Sequence, residues 1–156
     1  MKNLPKKRDN YNFECALIGD KGVGKTAILW RFVDRKFSDI TKETNYKHDR
    51  KEFRFGNKYI RLRIWDSPNY NIDDSFPLDE DFTFAFIIFD KSRKETFENL
   101  ENHIKRFNQS DNRLIYLIGN KNDKEIKVST DEAQECAISN NIQYFEVSAK
   151  SNENID

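Results

Sequence analysis

The sequence predicts a single α/β domain, with helices on both faces of a mostly parallel, six-stranded sheet. Two observations indicate this class. Strand-like apolar runs alternate with helix-like runs from Phe13 onward, and residues 82–90, FTFAFIIFD, are apolar without alternation, as in a central strand covered on both faces. The 156 residues suffice for one core and leave no room for a second domain. We assign residues 1–11 to a flexible N-terminal tail and residues 12–156 to the domain.

The first half of the domain contains a strand, a helix and a hairpin. Residues 12–19, NFECALIG, form the predicted first strand, which runs through a glycine-rich loop into a helix over residues 25–37. That helix has a wide apolar face, made of Ala27, Leu29, Trp30 and Val33. Residues 51–55 and 58–66 flank Gly56–Asn57 and predict a β-hairpin, because apolar residues and arginines alternate in its second strand.

The second half continues the alternation. Residues 92–109 predict a helix with one apolar stripe, made of Phe97, Leu100, Ile104 and Phe107. Residues 113–120 form a buried strand. Ser129 and Glu132 have the spacing of a capping box, so a further helix begins there, and residues 142–150 close as a strand and loop.

The composition excludes several classes of function. The 27 basic and 27 acidic residues cancel, which argues against a nucleic-acid partner recognised through bulk positive charge. No apolar run approaches the roughly 20 residues of a membrane-spanning helix. Cys15 and Cys136 lack metal-ligand spacing and are interpreted as reduced core thiols of a cytoplasmic protein.

A phosphate-binding loop is predicted at residues 19–26. GDKGVGKT matches G-x-x-x-x-G-K-[ST] in full and lies between a predicted strand and a predicted helix, as the motif requires. Glycines let the backbone N–H groups converge on phosphate oxygens, Lys25 would pair with the β- and γ-phosphates, and Thr26 would bind Mg²⁺. The alternative is a flexible glycine-rich turn whose lysine faces solvent.

Two further motifs follow predicted strands, at the edge of the sheet where ligands bind in open α/β folds. They are GNKND, residues 119–123, and VSAK, residues 147–150. The order and spacing of GDKGVGKT, WD, NKND and SAK resemble the Ras superfamily of small GTPases, over about residues 13–156. The stretches TFENLENHIKRF and VSTDEAQ…YFEVSAK are most similar to its Rab branch.

The resemblance implies a P-loop NTPase fold of the small G-protein type, and a site for GTP or GDP with Mg²⁺. Asp123 would accept hydrogen bonds from guanine N1–H and the exocyclic amine, and the Ala149 N–H would meet O6. Thr26, Thr44 and Asp66 would serve Mg²⁺, with Asp66 acting through water. The full implied nucleotide-binding set is Lys21, Gly22, Val23, Gly24, Lys25, Thr26, Ala27, Phe37, Thr44, Asn120, Lys121, Asp123, Ser148, Ala149 and Lys150.

The two switch segments depart from the family pattern. TNYKHD, residues 44–49, replaces a short apolar, glycine-containing stretch read by effectors, so the identity of the effector does not carry over. Asn69 replaces the glycine whose N–H reaches the γ-phosphate, and Tyr70 replaces the glutamine that orients the attacking water. We therefore assign no confident catalytic residue. Lys21 is interpreted as a solvated lysine, with a cation supplied in cis as the alternative role.

The C-terminal residues SNENID resemble the cap and first residues of a final helix that is absent from this chain. In the family that helix covers one face of the sheet, so we expect exposed apolar surface on the first and sixth strands. A further domain, a missing tail or a second copy would then cover this face. A lipidated missing tail would also make the protein peripheral to a membrane.

The sequence is compatible with three functions. The first is a Rab-like guanine-nucleotide switch with impaired hydrolysis, acting on protein effectors or regulators in vesicle trafficking or signalling. The second is a pseudo-GTPase scaffold that holds nucleotide constitutively. The third, an ATP-using phosphoryl-transfer enzyme, is disfavoured by Asp123 and by the lack of an arginine-rich lid segment.

Overall fold

Six strands form one sheet in the order β2-β3-β1-β4-β5-β6 in the computed structural model, which describes residues 10–38, 47–66, 82–107 and 113–155. Neighbouring strands are parallel, except that β2 pairs antiparallel with β3. The mostly parallel six-stranded sheet is therefore confirmed. The strands are β1 Asn10–Ile18, β2 Lys47–Phe55, β3 Lys58–Asp66, β4 Phe84–Asp90, β5 Leu114–Asn120 and β6 Gln143–Glu146.

Four described helices cover the two faces of the sheet. α1 packs Leu29 against one face, among the buried side chains of β1 and β3. α3 and α4 pack Leu100, Ile104, Ala133 and Ala137 against the other face, on the apolar side chains of β4 and β5. The helices are α1 Lys25–Asp34, α2 Lys94–Glu98, α3 Leu100–Phe107 and α4 Thr130–Ser139.

The hairpin is longer than its apolar alternation predicts. β2 begins at Lys47 rather than at residue 51, and the turn falls at Gly56–Asn57 as expected. His48 thus lies in a strand opposite Trp65, and the two ring centroids are 4.7 Å apart. The longer pairing adds ladder hydrogen bonds at every second residue pair of this antiparallel hairpin.

The predicted helix over residues 92–109 is divided in two. Asn99 lies between α2 and α3, and its side-chain amide donates to Asp20 Oδ2 at 2.7 Å. Asparagine is a weak helix former, and here it bonds outside the helix. The apolar stripe is nevertheless confirmed: Leu100, Ile104 and Phe107 are buried, and Phe97 packs against the same cluster.

The start of α4 is also confirmed. Ser129 is the N-cap residue, and its hydroxyl accepts a hydrogen bond from the Glu132 N–H at 3.1 Å. Cys15 is buried, as predicted for a core thiol, whereas Cys136 on α4 is only half-buried. Both are free thiols, and burial raises the pKa of each.

Residues 151–155 form turns and not the first residues of a helix. Asn152 and Asn154 have φ of 66° and 53°, in the left-handed region that asparagine tolerates, and Glu153 pairs with Ser148 in an isolated bridge. Ile155 is buried in the cluster beneath α1. The bridge draws the backbone of this segment back onto Ser148, and the helix expected to begin here stays a prediction.

A belt of partly exposed aromatic side chains lies on the same face of the sheet as α1. Phe84, Phe86 and Tyr116 contact one another with ring centroids 5.5 to 6.3 Å apart, and Tyr116 also contacts Phe145 at 6.2 Å. Phe145 is 47% exposed and Tyr11 is 39% exposed. The apolar exposure expected on the first and sixth strands is present, and it extends to the strands between them.

Candidate nucleotide-binding site

The phosphate loop connects β1 to α1 at the carboxyl edge of the sheet. Gly19 and Gly24 have φ of 143° and 101°, values that residues with a side chain rarely adopt. A Cβ on Gly19 would lie 2.1 Å from the Ile88 carbonyl oxygen, and one on Gly24 would lie 2.3 Å from the Asn120 amide nitrogen. Both glycines are required by close approach as well as by backbone conformation.

Every carbonyl of residues 19–24 accepts a hydrogen bond from the protein. Four side chains and one helical N–H supply the donors: Lys25 to Gly19 and Asp20, Arg93 to Lys21, Lys121 to Gly22, Asn120 to Val23, and the Ile28 N–H to Gly24, over 2.6 to 3.0 Å. Because the carbonyls are held in this way, the loop and the N-terminus of α1 can present N–H groups to an anion. The structure thus supports the phosphate-loop prediction over a loose glycine turn.

Lys25 is buried beside this loop, with its ammonium group on the Gly19 and Asp20 carbonyls. Burial lowers the pKa of Lys25 to about 8, although the charges of Asp66 and Asp20 act in the opposite direction. A phosphate group beside the ammonium would favour its charged form. Lys25 does not simply face solvent.

Oxygen ligands for a divalent cation lie where α1 begins and β3 ends. The Thr26 hydroxyl donates a hydrogen bond to Asp66 Oδ2, and Asp66 is 1% exposed. A hydroxyl and a carboxylate fit Mg²⁺, which takes one or two protein oxygens and completes its shell with phosphates and water. Among the described ranges there is no cluster of three or more His, Cys, Asp or Glu side chains that could hold a metal alone. Thr44, the third predicted ligand, lies outside those ranges.

Asn120 joins the three predicted motifs. Its side-chain amide donates to the Val23 carbonyl at 2.8 Å, and its Oδ1 accepts from the Ala149 N–H at 3.3 Å. Asn120 is 1% exposed. The phosphate loop, the NKND loop and the SAK loop therefore meet at one buried side chain.

Asp123 and Ser148 meet on the other side of this junction. The Ser148 hydroxyl donates to Asp123 Oδ1 at 2.5 Å, and it accepts from the Ser151 N–H. Ser148 is fully buried, whereas Asp123 remains exposed. One carboxylate oxygen is thus oriented by the protein, and the carboxylate stays accessible to a ligand.

Arg31 of α1 was missed by sequence reasoning. Its guanidinium donates to the Ala149 carbonyl at 2.8 Å and to the Lys150 carbonyl at 3.0 Å, and it lies 5.6 Å from the centroid of the Phe37 ring. Phe37, the predicted base-packing aromatic, is half-buried. Arg31 therefore connects Phe37 to the SAK loop, and nothing in its helical position signals that role.

Asp90, at the end of β4, was also missed. It is 1% exposed and accepts hydrogen bonds from Lys121, Arg93 and Ser92, over 2.6 to 3.0 Å. Burial acts to raise the pKa of Asp90, but the bonds from Lys121 and Ser92 outweigh it, and the pKa lies below its ordinary value. Its place at the carboxyl end of an apolar strand is the signal that could have found it.

α3 contacts the phosphate loop through Asp20. His103 Nε2 lies 2.8 Å from Asp20 Oδ1, and the Asn99 amide donates to Oδ2. Lys21, the next residue, is exposed. The described structure tests no catalytic role for Lys21, and Asn69 and Tyr70 lie outside the described ranges.

The fold and this junction define a P-loop nucleotide-binding protein of the open α/β class. Residues 14–156 match the model of the Ras family, and the chain belongs to that family. The predicted resemblance to a Rab-like small GTPase is thereby confirmed, and so is the P-loop fold of this class.

Three curated relatives illustrate the similarity. Ras-related protein SEC4 of Candida albicans is 36% identical over 155 residues, covering 90% of this chain and 70% of that protein. Ras-related protein Rab-2B of Dictyostelium discoideum is 34% identical over 154 residues, covering 92% and 75%. GTP-binding protein ypt3 of Schizosaccharomyces pombe is 31% identical over 156 residues, covering 94% and 72%. Among the described helices, none is long and apolar enough to cross a bilayer.

Proposed function

We propose that this protein is a guanine-nucleotide-dependent switch in membrane trafficking, which binds GTP and GDP with Mg²⁺ and hydrolyses GTP weakly. The observation that carries the binding proposal is Asn120, which holds the phosphate loop and the SAK loop together beside Asp123. Thr26 and Asp66 would hold Mg²⁺ together with Thr44, and the metal would neutralise charge on the phosphates. The similarity to the Rab-2B, SEC4 and ypt3 proteins supports the trafficking role.

Base recognition in this proposal rests on the exposed carboxylate of Asp123. Guanine would donate two hydrogen bonds to this carboxylate, one from N1–H and one from the exocyclic amine. Ser148 would fix one oxygen, while the Ala149 N–H would serve O6. Adenine would place a mismatched edge on the same carboxylate, and a ligand that leaves such a group unpaired binds far less well.

Asp123→Ala tests this proposal. We expect GDP affinity to fall about 100-fold, because two hydrogen bonds to a charged acceptor are lost at roughly 1.5 kcal/mol or more each. Calorimetric titration with GDP, in Mg²⁺ and with ATP as the comparison ligand, measures the change. Glu125→Ala is the matched control, since Glu125 is an exposed acid two residues along the same loop. An unchanged GDP affinity in Asp123→Ala, or equal wild-type affinities for ATP and GDP, would refute guanine recognition at this site.

Weak hydrolysis is proposed from Asn69 and Tyr70. A phenol cannot both accept from and donate to the attacking water in the geometry that a glutamine provides, and small GTPases are already slow without an activating protein. We expect Tyr70→Gln to raise the single-turnover GTPase rate about tenfold, equivalent to one regained positioning contact. Lys21→Ala in parallel reports whether an in-cis cation contributes. A wild-type rate equal to that of an intact relative such as SEC4, measured alongside, would contradict the proposal.

The scaffold alternative is favoured by the same two residues, because a protein that cannot sense the γ-phosphate gains stability from nucleotide without switching. Affinities for GDP and for a non-hydrolysable GTP analogue separate the two functions. A ligand that binds both conformations equally shifts neither, so equal affinities indicate a scaffold. A preference for the triphosphate that disappears in Thr44→Ala indicates a switch.

Partners in this proposal are protein effectors or regulators that contact the switch segments. The protein would act in the cytoplasm, and at a membrane surface if a lipidated tail follows these residues. The relatives give no support for an added domain or a second copy over the aromatic belt, and that cover stays a prediction.

A further inference from the structure

Lys91 is the residue directly after β4, and it is fully buried. Its ammonium group lies 2.5 Å from Glu146 Oε1 and 3.1 Å from Asn122 Oδ1. An unpaired buried ammonium is very costly, so these two contacts are needed to keep the side chain in place. Because Lys91 is a buried charge next to the NKND loop, it is a candidate for a functional role.

The carboxylate that pairs with Lys91 is itself held by two other segments. Glu146 Oε1 also accepts from the Thr130 hydroxyl at 2.6 Å and the Tyr144 hydroxyl at 2.9 Å. Burial acts to raise the pKa of Glu146, but the bonds from Lys91, Thr130 and Tyr144 prevail and lower it, so the group is a carboxylate near neutral pH. The pair thus joins the end of β4 to α4 and β6.

The backbone of Lys91 binds both ends of the segment that carries Asp123. Its N–H donates to the Asn120 carbonyl at 3.0 Å, and its carbonyl accepts from the N–H groups of Lys127 and Val128 at 2.9 and 3.1 Å. The six residues between Asn120 and Lys127 form a loop, and both ends of that loop are hydrogen-bonded to the backbone of Lys91.

The side chain of Lys91 adds a third point inside that loop. Asn122 is the residue before Asp123, and its Oδ1 accepts a hydrogen bond from the Lys91 ammonium. The Asn122 N–H donates to the Val147 carbonyl at 3.2 Å. The Lys91 stem also fills the space beside Gly119, where an added Cβ would lie 3.1 Å from it. The Asn122 amide also donates to Glu153 Oε1 at 3.1 Å, so Lys91 is one of three partners that hold Asn122, and it is the one that contacts Oδ1. Asp123 follows Asn122 by one peptide bond.

We propose that Lys91 is a positioning residue for base recognition, holding Asn122 so that the Asp123 carboxylate faces both guanine donors at once. The proposal deepens the function proposed above and rests on it. Guanine N1–H would bond to one oxygen of the Asp123 carboxylate, and the exocyclic amine would bond to the other. The bond to the amine forms only when both oxygens face the base, so it depends most on the position of Asp123. Lys91 would therefore contribute to the discrimination of guanine from hypoxanthine, which lacks the amine.

The test compares affinities for GDP and inosine diphosphate in wild type, Lys91→Met and Asn122→Ala. We expect both variants to lower the ratio of GDP to inosine diphosphate affinity at least fivefold, because each removes the contact between the ammonium and Oδ1. General destabilisation would weaken both nucleotides alike and leave the ratio unchanged. Lys94→Met is the matched control, since Lys94 is a lysine three residues along whose side chain is 56% exposed and which pairs with Glu132.

Folding of the variants is followed by circular dichroism. If Lys91→Met fails to fold, Asn122→Ala carries the test, because it leaves the Lys91–Glu146 pair in place. The proposal is overturned if a folded Lys91→Met protein has a ratio of GDP to inosine diphosphate affinity within twofold of wild type. If Lys91→Met does not fold, the same result in Asn122→Ala overturns it. A wild type that binds neither nucleotide overturns both this proposal and the function it rests on, so the two failures are distinguishable.

Discussion

Gly24→Ala should abolish measurable binding of GDP and GTP, whereas Gly56→Ala should leave it unchanged. Both glycines have positive φ, 101° and 61°, so both substitutions carry the backbone strain of a left-handed residue, about 1 to 2 kcal/mol. They differ in what the new methyl group meets. At Gly56 nothing lies within 4 Å, but at Gly24 the Asn120 amide nitrogen lies at 2.3 Å.

The clash at Gly24 cannot be relieved by a simple rotation. The Asn120 amide is buried and already bonded to the Val23 carbonyl and the Ala149 N–H, so movement breaks the link between the phosphate loop and the SAK loop. Titration with a fluorescent GDP analogue measures binding, and circular dichroism verifies that each variant is folded. A folded Gly24→Ala protein with affinity within threefold of wild type would show that the loop geometry is not required.

Asn120→Ala should produce the largest loss of stability among the site variants. It leaves the Val23 carbonyl and the Ala149 N–H buried without that partner, and two such groups cost roughly 2 to 6 kcal/mol together. Since a whole domain of this kind is stable by only about 5 to 15 kcal/mol, much of the free energy of unfolding is at stake.

Urea denaturation, with and without GDP, measures this loss for Asn120→Ala. We expect a lower midpoint in both conditions and a smaller stabilising increment from GDP, because nucleotide affinity falls with the junction. Asn140→Ala is the control, since Asn140 is an exposed asparagine that caps α4 away from the site. A midpoint equal to that of the control would refute the central role of Asn120.

Much of the fold follows from periodicity. Leu62 and Ile64 alternate with Arg61 and Arg63, and that pattern alone determines which face of β3 is buried, so the hairpin was predicted with its turn. The division between α2 and α3 was not predicted; it falls at Asn99, whose amide bonds to Asp20, a residue 79 positions away. Local pattern carries no record of such a partner.

The site shows the same division between local and distant causes. The phosphate loop was predicted from a complete motif between a strand and a helix, and Asn120 and Asp123 were predicted through the family resemblance of the NKND motif. Arg31 and Lys91 belong to no motif, and charged residues are usually exposed, so the sequence gives no reason to single either of them out. Their contacts appear only in the folded structure, where Arg31 meets the SAK loop and Lys91 meets β6 and the NKND loop.

The links that hold the phosphate loop have a consequence for the order in which this protein forms. Asn120 reaches Val23 across 97 residues, Lys121 reaches Gly22 across 99, and Arg31 reaches Ala149 across 118. Contacts between such distant residues form late and slow the search for the native state. During synthesis the phosphate loop leaves the ribosome before β5 and the SAK loop, so it must wait for them to emerge before its Gly22 and Val23 carbonyls are held. Until then a nascent chain has the motif without the site, and nucleotide can select only chains from which the SAK loop has emerged.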